Sequence, residues 1–202
     1  MQAITLGRLS ALAAVLALAG CGGKSTFEVS GNFTEGNSSA TSAVRTAGLK
    51  LSLNGDQEQI DIPVGATSYR FSKRISYGEN YTVKVVRSPE HVTCAADPNF
   101  SSGYAGQTTS IVVNVACSQN SYSVSGKVNN LLEDGLGLNN GATPATVNKA
   151  SPVFTFPAIP YGAPYAIVVT RQPTNQTCTV VNGSGYMGEA AVTNVEINCT
   201  RP

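Results

Sequence analysis

The sequence predicts an all-β protein made of two tandem antiparallel β-sandwich modules, and three observations carry that prediction. Blocks of the first half recur in the second, apolar residues alternate with polar ones at period two, and Gly and Pro interrupt the chain often, with 20 Gly and 10 Pro in 202 residues. Alternation at period two puts every other side chain on one face of a strand. Gly and Pro mark the turns between short strands, and a chain that repeats itself is built of repeated units. Beyond the N-terminal apolar segment no window carries a helical apolar stripe.

In chain order, Arg8 precedes an apolar run from Leu9 to Ala19. That run falls short of the roughly 20 residues a membrane span needs and reads as an export signal. Leu18, Ala19, Gly20 and Cys21 resemble the lipobox of bacterial lipoproteins, in which the chain is cut before the Cys and the Cys carries the lipid. The resemblance implies a signal peptide at 1–20, acyl chains such as palmitate on Cys21, and attachment to a membrane through them. Each buried methylene contributes about 0.8 kcal/mol, so more than one chain is needed to hold. Gly22, where retained lipoproteins of enteric bacteria carry Asp, implies the outer membrane of a bacterial envelope. Residues 21–26 are then the lipidated Cys and a flexible tether.

The repeat sets the modules. "FEVSGNF" (27–33) returns as "YSVSGKV" (122–128), and "GLKLSLNG" (48–55) as "GLGLNNG" (135–141). "YGENYTVKVVRSPEHVTC" (77–94) aligns without a gap to "YGAPYAIVVTRQPTNQTC" (161–178), and "SIVVNVAC" (110–117) matches "VTNVEINC" (192–199). Module 1 is expected at 27–118, a linker at 119–121 and module 2 at 122–202. With Cys21 lipidated, Cys94, Cys117, Cys178 and Cys199 remain, an even set suited to an oxidising compartment. Four cysteines allow three connectivities, and one pair per repeat selects Cys94–Cys117 and Cys178–Cys199. Inward faces are expected at Phe27, Val29, Gly31 and Phe33, at Tyr81, Val83 and Val85, at Val113, Val115 and Cys117, and at their counterparts in module 2.

A first strand ending in "SG", a "GLxL" strand, Phe154 to Phe156 and "YGxxYxV" follow in that order. This succession resembles the prealbumin-like, Cna-B-type modules of bacterial surface proteins and the disulfide-bearing Ig-like repeats of proteobacterial lipoproteins. Cna-B-type modules often carry an isopeptide bond between a first-strand Lys and a last-strand Asn, for which Lys127 and Asn198 stand on suitable strands. Lys127 has the parity opposite to Val124 and Val128, so it is expected in water and the crosslink is not expected.

Catalytic chemistry finds little purchase. His91 is the single imidazole, its repeat partner is Asn175, and it is expected to be a solvated loop residue beside Glu90. No "GxSxG" or "SxxK" pattern accompanies the serines. "NGDQEQID" (54–61) groups Asp56, Glu58 and Asp61 without EF-hand spacing, and a polar hairpin is expected there rather than a calcium loop. Arg70, Lys73, Arg74, Lys84 and Arg87 are balanced by acidic residues of the same module, as on a solvated sheet face. With 12% charged residues and a net charge of +1, the chain is not one that tracks nucleic acid.

Tyr104 in "SSGYAG" and Tyr186 in "GSGYMG" are equivalent, and either form a loop contact used twice or close the ends of their sandwiches; closure is the expectation. The twin motifs "RSPEHVTC" and "RQPTNQTC" keep Arg, Pro, Thr and Cys and differ between Pro and Thr, as architecture built twice would. Together these readings describe a non-catalytic envelope protein without cofactor or metal. It would be anchored through Cys21 and would bind or scaffold a protein or glycan through loops or a sheet edge. The alternatives are a spacer or accessory subunit of a surface assembly and, more remotely, an envelope hydrolase.

Overall fold

Phe33, Leu51, Phe71 and Val83 form one buried core and Leu136, Phe156, Ile167 and Ile197 another, so that each repeat closes over its own interior. The computed structural model describes residues 24–55 and 57–202, and these form strands and turns with no helix among them. Residues 1–23, and with them the expected signal peptide and Cys21, lie outside the described residues, as does Asp56.

In module 2 one sheet runs in the order Val153–Pro160, Ser121–Asn129, Val192–Thr200, Thr177–Val181, and the facing sheet in the order Thr143–Val147, Leu136–Asn140, Pro164–Arg171, Ser184–Tyr186. Module 1 repeats this plan, with its last long strand broken into Ile111–Val112 and Val115–Gln119. The chain is therefore all-β, two sandwiches in tandem. One pairing in each module departs from the antiparallel expectation, because the first strand runs parallel to the last. Parallel neighbours need a long crossover, and here the rest of the module supplies it.

The "SG" signature is explained at this parallel seam. A Cβ on Gly31 would stand 1.8 Å from the Val113 carbonyl oxygen, and one on Gly126 would stand 2.1 Å from that of Val195. Only a residue without a side chain lets the two backbones pass so closely. An aromatic ring covers each glycine from the neighbouring strand, Tyr69 over Gly31 and Phe154 over Gly126. In module 1 the Tyr69 hydroxyl also donates to the Val113 carbonyl at 2.6 Å, and burial raises its pKa well above the usual phenol range.

The twin motif is explained in the same way. Arg87 Nε donates to the Gly48 carbonyl at 2.7 Å and Arg171 Nε to the Gly135 carbonyl at 2.8 Å. The next residue accepts the cysteine's N–H in both copies, Ser88 from Cys94 at 3.0 Å and Gln172 from Cys178 at 2.8 Å. Pro89 and Pro173 end their strands at equivalent turns, in which His91 and Asn175 take left-handed conformations, φ 60° and 54°. The motif's invariant Arg thus bonds its own module's backbone and its Cys forms the module's disulfide.

Cys94 is bonded to Cys117 and Cys178 to Cys199, each pair directly opposite across an antiparallel ladder. The bonds thus staple an edge strand to the last strand within one sheet.

Two segments expected to be free backbone are ordered. Thr26–Phe27 pairs with Ile75–Ser76, which takes Thr26 out of the tether expected at 21–26. Gln119 and Ser121 belong to strands, and Asn120 alone lies between them.

Candidate functional site

Asn120 is where the two modules meet. Its N–H donates to the His91 carbonyl at 2.9 Å, its own carbonyl accepts from Tyr161 N–H at 2.8 Å, and its side-chain oxygen accepts from the Thr93 hydroxyl at 2.8 Å. The Gln119 amide donates to the Tyr161 carbonyl at 2.9 Å. The turn at Pro89–Val92 is thereby brought against module 2.

His91 reaches across this junction. Its ring stacks on Tyr161, with centroids 3.7 Å apart and planes 11° apart, and its Nδ1 meets a carboxylate oxygen of Glu189. The other Glu189 oxygen accepts from the Tyr122 hydroxyl at 2.8 Å. The hydrogen bond from His91, and after it the bond from Tyr122, hold the Glu189 carboxyl below its ordinary range. The same carboxylate acting on the Tyr122 hydroxyl raises the tyrosine's pKa. The expectation of a solvated loop histidine beside Glu90 is thus corrected. The residues that hold His91, Asn120, Tyr161 and Glu189, lie 29 to 98 positions further along the chain, where local sequence carries no sign of them.

Beside the latch opens a cleft of about 510 Å³ with Phe33, Val44 and Val92 on its apolar side, Tyr161 at the module 2 end, and the Arg45–Glu35 ion pair at 2.8 Å among its lining groups. Its origin lies in two differences between the copies. Thirteen residues separate Glu35 from Leu49, where five separate Asn130 from Leu136, and the longer segment lines the cleft through Ser42, Val44 and Arg45. In module 2 the short segment is closed by Gln176, which is 5% exposed. The Gln176 side-chain oxygen accepts from Leu132 N–H at 2.9 Å and Glu133 N–H at 3.2 Å, and its amide donates to the Asn130 carbonyl at 2.8 Å. Val92 stands at that position in module 1 and has no group with which to make those bonds.

The other sequence candidates lie elsewhere. Tyr104 and Tyr186 are 59% and 78% exposed on the edge strands Ser102–Tyr104 and Ser184–Tyr186. The expected closure by their rings does not occur; Tyr81 and Tyr165 cover the sheet there, lying over Gly103 and Gly185. Glu58 is raised by burial, but the N–H groups of Lys73 and Ser72 on its oxygens outweigh that and leave its pKa lowered. Asp61 pairs with Lys50 at 3.2 Å and Arg87 at 3.4 Å. Glu58 and Asp61 of the 54–61 stretch are thus engaged in holding their own module, and Asp56 lies outside the described residues. Lys127 points to water and pairs with Glu196 at 3.1 Å, while Asn198 takes the Asn129 amide at 2.8 Å. Among the described residues no group of three His, Cys, Asp or Glu is placed to hold a metal, and no helix is long and apolar enough to cross a membrane.

No protein-family model and no curated protein matches the chain. Among solved structures it is similar to the Bacillus anthracis TIE protein, with TM-score 0.53 and 11% identity over 86% of this chain and 34% of that one. The chain therefore spans about a third of that protein's length. The Streptococcus pyogenes major pilin protein (T-13) matches over 89% of this chain and 98% of its own, with 11% identity and TM-score 0.30. The shaft pilin SpaA of Lactobacillus rhamnosus GG matches over 88% and 99%, with 9% identity and TM-score 0.31. The likeness to the TIE protein is one of fold, and it is the β-sandwich fold described above.

Proposed function

We propose that the protein is a non-catalytic bacterial envelope component, anchored through lipid on Cys21, that binds a protein or glycan partner in the cleft at its module junction. One observation carries the reading. The features that distinguish module 1 from module 2, the long segment before Leu49 and the Pro89–Val92 turn, converge on one cleft, and Tyr161 of the second module completes it. The Arg and Cys of the twin motif, which the copies share, are spent on backbone bonds and disulfides, while Val44, Arg45, His91 and Val92, where the copies differ, are among the groups that line the opening. Loops held on a rigid scaffold are where binding is concentrated.

Val92→Gln puts into module 1 the residue that stands in module 2. Immobilised, delipidated protein is expected to retain a partner from envelope extract or purified glycans, and Val92→Gln is expected to lose that partner while keeping its unfolding midpoint. Equal capture by both proteins would remove the cleft from the function. Anchoring is tested separately: a fatty-acid probe is expected to label the wild type and not Cys21→Ala.

A spacer role is the second reading, favoured by the hydrogen bonds that fix Asn120 between the modules. A stoichiometric assembly that survives Val92→Gln would support it.

A further inference from the structure

The face that module 2 turns toward module 1 has a counterpart on module 1 itself. Tyr77 is the repeat partner of Tyr161. Tyr77 N–H donates to the Ser25 carbonyl at 2.8 Å as Tyr161 N–H does to that of Asn120, and Gly78 N–H donates to the Ala105 carbonyl at 2.9 Å as Gly162 N–H does to that of Met187 at 2.8 Å. The backbones are the same, but the side chains of the latch are not. Phe27 stands in place of Tyr122 and Gln107 in place of Glu189, while at the far end of module 2 Asn175 stands in place of His91. A second copy stacked end to end would bring Asn175 rather than an imidazole to this face, and the face would meet it with Gln107 where the latch has the Glu189 carboxylate.

The face is aromatic and exposed. Tyr77 is 64% and Tyr104 59% accessible, and the Tyr77 ring lies against Phe27 with centroids 6.5 Å apart. Lys24 and Lys73 are exposed at the same corner, and Arg74 joins it to the N-terminal strand by two bonds to Thr26 at 2.9 and 3.0 Å. Glu79 is there too, its carboxylate accepting Ser76 N–H at 3.2 Å. Because Ser25 is hydrogen-bonded to Tyr77, four residue steps separate the folded module from Cys21, at most about 14 Å of fully extended chain.

We infer that module 1 rests with the Tyr77 face against the headgroup layer of a phospholipid bilayer, and does not stand off from it on a free tether. The inference depends on the lipid anchor at Cys21 proposed above. Tyrosines favour the membrane–water interface, where the ring meets apolar matter and the hydroxyl stays wet. Lys24 and Lys73 beside them are drawn to anionic headgroups, while Arg74 is paired with Glu28 at 3.8 Å.

The test uses the full-length acylated protein in vesicles of phosphatidylethanolamine and phosphatidylglycerol doped with a gadolinium-chelating lipid. Amide signals of Tyr77, Gly78 and Ala105 are expected to broaden several-fold more than those of Tyr161, Gly162 and Met187, and Tyr77→Ser with Tyr104→Ser is expected to reduce the difference. Vesicle-bound protein whose Tyr77 face is no more broadened than the module 2 face would overturn the inference and leave the anchor standing. Protection of that face that grows with protein density, without headgroup broadening, would assign it to a second copy and also overturn it. Protein whose mass carries no acyl chain and which does not sediment with vesicles would overturn both the inference and the anchor beneath it.

Discussion

The turn at Pro89–Val92 and the turn at Pro173–Gln176 share a backbone and differ in what their side chains seek. In module 2 the turn looks inward, and Gln176 bonds the segment at 130–133 and seals its own sandwich. In module 1 the turn looks outward: Val92 leaves the corresponding space open, and His91, at the position of Asn175, stacks on the other module. What the turns share, the Arg before them and the Cys after them, ties each to its own module, and what differs decides whether the turn seals its own sandwich or faces the neighbouring one.

The largest effects are expected where the copies agree. Gly31→Ala and Gly126→Ala each drive a methyl into a carbonyl oxygen, at 1.8 and 2.1 Å, and should each destabilise the affected module by about 3 kcal/mol or more. Urea unfolding followed separately in the two modules measures this. A site that accepts Ala with little loss would break the equivalence of the two seams.

Next comes the side chain that seals module 2. Gln176→Val strands the N–H groups of Leu132 and Glu133 and the Asn130 carbonyl, and is expected to cost module 2 about 2–3 kcal/mol, while Val92→Gln leaves module 1 near its original stability. Similar losses from both substitutions would show that the cleft is not the open form of the sealed site.

Arg87→Ala and Arg171→Ala should each cost about 1 kcal/mol, the loss of one side-chain bond to a backbone carbonyl. Equal unfolding shifts are expected in the two modules. The Arg87 bridge to Asp61 is largely exposed and adds little.

The smallest effect on stability, and the most specific, belongs to the latch. His91→Asn should leave the unfolding of each module unchanged to within about 0.5 kcal/mol, while residual dipolar couplings lose the common alignment of the two modules. Acid should do the same. The carboxyl of Glu189 titrates below its ordinary value in the folded protein, so its contribution is complete above the usual carboxylate range. It is lost as the pH falls through the lowered value, when the protonated group no longer serves as a full acceptor for His91 and Tyr122. Alignment that persists at low pH would assign the junction to the backbone bonds of Asn120 alone.

Much of the fold was legible before any coordinates, because its determinants are local and written twice. The alternation of Val29, Gly31 and Phe33, of Tyr81, Val83 and Val85 and of Val195, Ile197 and Cys199 reports burial directly, since a strand has only two faces. The parallel seam was not legible, because strand direction depends on where the chain returns. The site was legible only as a difference. His91 against Asn175 and "EHV" against "TNQ" marked where the copies part, but not toward what.

The chain's residues alone therefore determine a repeated all-β architecture, its inward faces and the recurring Arg, Pro and Cys of its corners, all of which follow from near neighbours and from comparing one copy with the other. Only the tertiary structure decides that His91 meets Tyr161 and Glu189, that Val92 leaves open what Gln176 closes, and that the N-terminal segment is bound back to Tyr77. Each of these joins residues far apart in the chain through shape and hydrogen bonding, and a pattern of hydrophobicity encodes neither.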